Sequence, residues 1–118
     1  MRNFRDLEVW NLSRELVKEI YFLMKTMPDE EKFGLISQIK RSAISIPSNI
    51  AEGCAKKSNK DFSRFLEISL GSCYELETQL ILCSDVELIK EEIIEEKIIL
   101  LQTLEKKITS FINYLATQ

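Results

Sequence analysis

Histidine is absent from this 118-residue chain, and that gap removes a good deal of chemistry. It excludes His-based hydrolytic triads, any zinc site with a His ligand, and the Glu-x-x-His motif of di-iron helical bundles. Glycine and proline are scarce, at 3 and 2 residues. Three scattered glycines match no phosphate-cradling loop. So few turn formers predict long uninterrupted elements, which favours helices over a many-turned β fold. Cys54, Cys73 and Cys83 are odd in number and never spaced C-x-x-C, so they form neither a zinc pattern nor a disulfide framework. They read as small apolar core residues. No apolar run approaches the ~20 residues of a membrane span. The opening MRNFRDLEVW lacks the apolar centre of a signal peptide, so the expectation is a cytoplasmic protein with no membrane partner.

What is present is a core and a solvated cover. Hydrophobic residues make up 45% of the chain and charged ones 30%, enough for one domain over residues 1–118. The net charge of −3 hides an asymmetry. Residues 1–66 carry 12 Lys/Arg and 9 Asp/Glu, whereas residues 67–118 carry 4 and 10. A molecule divided in this way can present a basic face, or set it against an acidic face of another copy.

Four amphipathic stretches follow from the spacing. The first runs from Asp6, as N-cap, to Met27, where Pro28 stops it. The second begins near Glu31 or Phe33 and reaches Glu52, with Leu35, Ile36, Ile39, Ala43, Ile46 and Ile50 at three- and four-residue steps. Pro47 lacks the amide proton owed to the Ala43 carbonyl, so a kink is expected there, with Gly53 as the C-terminal stop. Ser58 or Asn59 caps the third, and Gly71 inside it implies a close packing neighbour. The fourth covers Lys90 to Leu115 on the seam Ile94, Ile98, Leu101, Leu104, Ile108. Short connections make neighbours antiparallel, so the predicted fold is all-α: an up-down-up-down four-helix bundle with its second helix kinked at Pro47. The apolar stripes of the first and fourth helices are wider than one small bundle can bury, which predicts self-association.

Three clusters are candidates for function. Glu52, Glu75 and Glu77 are a conceivable carboxylate site, although glutamates on bundle helices are far more often solvated or paired. No catalytic, metal or cofactor site is expected. Ser45, Ser48, Asn49 and Glu52 form a polar stripe with Arg41. The structural reading has Ser48 and Asn49 satisfying groups freed by Pro47, and Arg41 paired with Glu75 or Glu77. Lys40, Arg41, Lys56, Lys57, Lys60 and Arg64 form a basic patch flanking the turn between the second and third helices. Clustered cations attract a phosphate backbone and release its counterions. A solvated turn is the alternative, and base stacking is not expected of the patch.

The segments FRDLEVW at 4–10, GLISQIKRSAISIPSNIAEG at 34–53, KKSNKDFSRFL at 56–66 and GSCYELETQL at 71–80 resemble one bacterial family in order and spacing. It is the four-helix-bundle proteins encoded in intervening sequences of 23S ribosomal RNA genes, to which the accessory variability protein of diversity-generating retroelements is related. The resemblance implies a non-enzymatic bundle that assembles as a barrel-like homopentamer. It also implies weak RNA or DNA contact through the matching basic positions Lys40, Arg41, Lys56, Lys57, Lys60 and Arg64, with a further protein as another partner. The retroelement proteins are strongly basic, whereas this chain has a pI near 5.1, which argues against both tight nucleic-acid binding and a place in the ribosome.

Overall fold

The computed structural model describes residues 2–31 and 34–118. Among them are four helices and no strand: α1 Glu8–Met24, α2 Leu35–Cys54, α3 Asn59–Asp85 and α4 Glu91–Ala116. Two short 3-10 turns, Phe4–Asp6 and Asp29–Glu31, precede α1 and α2. The bundle measures 46 × 22 × 19 Å, close to the ~40 Å that the 27 residues of α3 span at 1.5 Å per residue.

Pairs across the bundle fix its topology. Glu8 and Glu19 of α1 bind Lys107 and Lys97 of α4 in reverse order, at 3.2 and 3.1 Å. Phe62, early in α3, meets Phe111, late in α4, edge to face at 5.3 Å. Ser42 near the start of α2 reaches Gln79 near the end of α3. Each helix therefore runs antiparallel to its neighbours, α1 and α3 standing diagonal to one another, as the sequence predicts. Ile20, Ile39, Ile46, Phe62, Leu76 and Leu101 are among the fully buried side chains of the single core. All three cysteines are free and buried in it, and burial raises their thiol pKa values, to about 12 at Cys73 and about 11 at Cys83.

Several local expectations need correction. Asp6 does not cap α1; Asn3 caps the short 3-10 turn through Asp6, and α1 begins at Glu8 without a side-chain cap. The second helix starts at Leu35, later than expected; Phe33 lies outside the described residues. Gly53 does not stop α2, which continues to Cys54 with Ala55 as an ordinary right-handed C-cap. Its place is at a packing contact. A Cβ there would lie 2.8 Å from the Cβ of Phe65 and 2.9 Å from the ring of Phe62. Gly71 shows the reverse: it is exposed, and nothing stands within 4 Å of where its Cβ would be. Pro47 lies inside α2, which remains one helix across it. Ser58 does cap α3, its hydroxyl accepting from the Asp61 amide at 3.1 Å.

The α3–α4 turn is closed by a motif the sequence conceals. Glu87 adopts a left-handed backbone, φ 61°. The Leu88 amide donates back to the Cys83 carbonyl at 2.9 Å and the Glu87 amide to the Ser84 carbonyl at 3.0 Å. These are the two bonds of a Schellman stop, at a position where glycine is usual.

Candidate functional site

The six basic residues expected to gather at one end do not all do so. Lys56 and Lys57 lie in the α2–α3 turn, and Lys60 and Arg64 follow on one face of α3, four residues apart. Lys57, Lys60 and Arg64 are exposed, while Lys56 is half-buried with its ammonium 5.0 Å from the centre of the Phe65 ring. Lys40 and Arg41 sit elsewhere. They are more than a dozen residues before the end of α2, about 20 Å away along its axis. Lys40 lies over the Tyr21 ring at 4.8 Å, against α1. Periodicity places Lys40 and Arg41 on the right helix, but a patch defined by sequence proximity ignores the rise of that helix.

Arg2 takes a place in the basic end that the sequence pattern did not assign to it. Its guanidinium donates to Asn59 Oδ1 and stacks 4.3 Å above the Phe62 ring. The amino-terminal segment thereby crosses the α2–α3 turn. No local spacing signals this, because the contact joins residues 57 apart. The resulting end presents Arg2, Lys56, Lys57, Lys60 and Arg64, with Glu52 and Asp61 as the nearby acids. Such an array attracts phosphate by charge, and its aromatic rings are already covered by cations.

The polar stripe divides as well. Ser45 Oγ meets Ser72 Oγ at 2.8 Å, and Asn49 Nδ2 donates to the Ser45 carbonyl and hydroxyl at 2.8 and 2.9 Å. Ser69 reaches across from α3, buried, to donate to the Ile46 carbonyl at 2.9 Å. Neither bond reaches the Ala43 carbonyl that Pro47 leaves without its amide donor, and Ser48 forms no side-chain hydrogen bond among the described residues. Ser48 instead lines an open groove between α1 and α2 with Phe4, Trp10, Arg14 and Ile44. Glu52 is exposed, and Arg41 forms no ion pair with Glu75 or Glu77 among the described residues. Ser42 takes that position: its hydroxyl lies 2.9 Å from Glu75 Oε1, 3.0 Å from Gln79 Oε1 and 3.1 Å from the Gln38 carbonyl. Serines at 42, 45, 69 and 72 and the glycine at 53 let α2 and α3 approach closely, and the serine hydroxyls bond across the seam.

A second carboxyl site, at Glu105 on α4, also escaped the sequence reading. It is only 9% exposed, its Oε2 is buried without a partner among the described residues, and Glu77 of α3 stands beside it. Burial, then the proximity of Glu77, push its pKa up to about 8. Residue 105 flanks the apolar seam by one position, so only the packed helices disclose its burial. Among the described residues no three His, Cys, Asp or Glu side chains converge as a metal-binding group, and no helix is long and apolar enough to cross a membrane.

An antiparallel four-helix bundle, with a polar α2–α3 seam and a basic end, is the class of protein these features define. The family model of the 23S rRNA-intervening sequence proteins matches residues 5–110. The chain belongs to that family. A crystal structure from Bacteroides thetaiotaomicron, a protein of unknown function from the S23 ribosomal protein family, superimposes with a TM-score of 0.82. The two are 33% identical, over 88% of this chain and 97% of that one. No curated protein matches the sequence.

Proposed function

We propose that this chain is a non-catalytic scaffold or adaptor of the cytoplasm that acts as a homo-oligomer. The observation that carries the reading is the apolar surface left uncovered by the folded chain. Ile99 is 63% exposed, Val86 61% and Tyr114 58%, with Phe22, Tyr74 and Ile68 about half exposed. Large apolar side chains spread over α1, α3 and α4 favour burial against further copies. The basic amino-terminal half and the glutamate-rich α4 offer complementary charge for that contact. Five copies is the number the family resemblance implies. Sedimentation velocity of the wild type beside Ile99→Glu/Tyr114→Glu tests the reading. The expected result is an assembled wild type and a lighter variant of equal helicity. A wild type that sediments as one chain overturns it.

A second reading has its own observation, the convergence of Arg2, Lys57, Lys60 and Arg64 at one bundle end. In that reading the assembled protein holds RNA or DNA by its phosphates. Binding of a structured RNA and a duplex DNA at two salt concentrations tests it, with Lys56→Glu/Lys57→Glu as control. Salt-sensitive binding that the variant loses supports it, and no binding at low salt removes it.

A further inference from the structure

The cleft between α3 and α4 lies outside both readings. Its volume is about 750 Å³, and it is lined by Tyr74 of α3 and by Gln102, Glu105, Lys106, Thr109 and Ser110 of α4. Clefts of this size hold small ligands where a few polar groups converge in them. Glu105 is the group that stands out. It is 9% exposed, whereas the other five side chains are exposed. Its Oε2 is closed off from solvent and has no hydrogen-bond partner among the described residues. A carboxyl held in this way is costly unless a donor meets it. The terminal torsion of a glutamate is soft, so either oxygen turns toward the cleft with little strain.

The nearby side chains do not supply that donor. Lys106 is next in sequence, but adjacent residues of a helix project about 100° apart and do not face each other. It forms no ion pair among the described residues. Gln102 turns its amide toward Glu77 Oε2, at 3.5 Å. Glu77 itself stands beside Glu105 and adds negative charge to the floor of the cleft. Tyr74, 54% exposed, offers a ring face at the mouth, the surface on which a cation is favoured. Thr109 follows Glu105 by one turn on the same face and adds a hydroxyl acceptor.

We propose that this cleft binds a singly charged guanidinium or ammonium group, which donates to the Glu105 carboxylate and lies against the Tyr74 ring. The N–H groups supply the bonds that Oε2 lacks, and a guanidinium does so through two parallel bonds. The Lys106 ammonium at the rim repels a second positive charge, so a monocation or a zwitterion is preferred to a polyamine. The group arrives on a free small molecule or on an arginine of another copy, since Arg5, Arg14, Arg41 and Arg64 are all exposed. Proton linkage gives the site a signature. The titratable groups around the carboxyl are Cys73, Tyr74 and Glu77 of α3 and Lys106 of α4. In the chain by itself, burial and then Glu77 raise the Glu105 pKa to about 8. A cation binds the ionised form, so binding releases a proton and tightens about ten-fold per pH unit until pH reaches that value.

Calorimetric titration with methylguanidinium chloride, beside uncharged methylurea of nearly the same shape, tests the proposal on the whole chain. The expected result is saturable binding of one methylguanidinium per chain, about ten-fold tighter at pH 7.5 than at pH 6.5, with no binding of methylurea. Glu105→Gln keeps the size of the side chain and is expected to lose the binding at unchanged helicity, and Tyr74→Ala to weaken it. Sedimentation velocity with and without the probe separates the two sources. An unchanged mass assigns the site to a free small cation. A lighter species, reproduced by Glu105→Gln, assigns it to an arginine of another copy, which the probe displaces. A wild type that sediments as one chain sinks the oligomer reading and leaves the calorimetry to decide this one. Absence of both saturable binding and a change of mass, an equal response to methylurea, or binding that survives Glu105→Gln overturns the site.

Discussion

Gly53 of α2 rests on Phe65 of α3 so closely that a Cβ on the glycine would lie 2.8 Å from the Cβ of the phenylalanine. A Cβ atom is tied to its backbone, so the relief would have to come from the helices themselves. Gly53→Ala is expected to destabilise the protein by about 1–2 kcal/mol, the overpacking outweighing the better helix propensity of alanine. Gly71→Ala, where the same methyl group meets open space, is expected to stabilise it by about 0.5–1 kcal/mol. Chemical denaturation of the two variants side by side checks the opposite signs.

Glu87 occupies the left-handed position of the α3–α4 stop, where any side chain is disfavoured. Glu87→Gly should raise stability by about 0.5–1 kcal/mol without altering the helices, since the stop is made entirely by backbone bonds. A rise in thermal midpoint at unchanged circular dichroism is the expected result.

Glu105 sets a pH dependence. Its pKa is about 8 in the folded chain against an ordinary 4.5, so the folded state holds a proton that the unfolded state gives up. The associated stability is fully present below pH 4.5 and is lost as pH rises to about 8, on the order of 1 kcal/mol per pH unit. Glu105→Gln should therefore match the wild type near pH 4.5 and exceed it near pH 8. Denaturation midpoints at the two pH values measure this directly.

The lysines of the α2–α3 turn are not needed for folding. Lys57 is exposed and unpaired among the described residues, and Lys56 gives up only a contact over Phe65. Lys56→Glu/Lys57→Glu should change stability by less than about 1 kcal/mol. A thermal midpoint close to that of the wild type is expected, which makes the pair a clean probe of binding.

The architecture was legible because four long apolar periodicities, two prolines and three glycines leave little room for another fold. The Ser58 cap and the buried cysteines were legible for the same local reasons. Gly53 and Gly71 were not, because a glycine inside a helical pattern looks alike whether a phenylalanine or solvent faces it. The basic patch was read as one cluster from residues close in sequence, whereas helical rise carries Lys40 and Arg41 away and a contact from Arg2 brings a distant cation in. Glu105 and Ser42 escaped for a related reason: their surroundings are made by α3, and the spacing within their own helices marks them only as flank positions.

The central claim is that the apolar surface around Ile99, Val86 and Tyr114 is covered by further copies of the chain. Light scattering of the purified protein at micromolar concentration measures this most directly. The account predicts a single species whose mass is a multiple of 13.8 kDa, five-fold if the family resemblance holds to that detail. A monodisperse species of 13.8 kDa would contradict it.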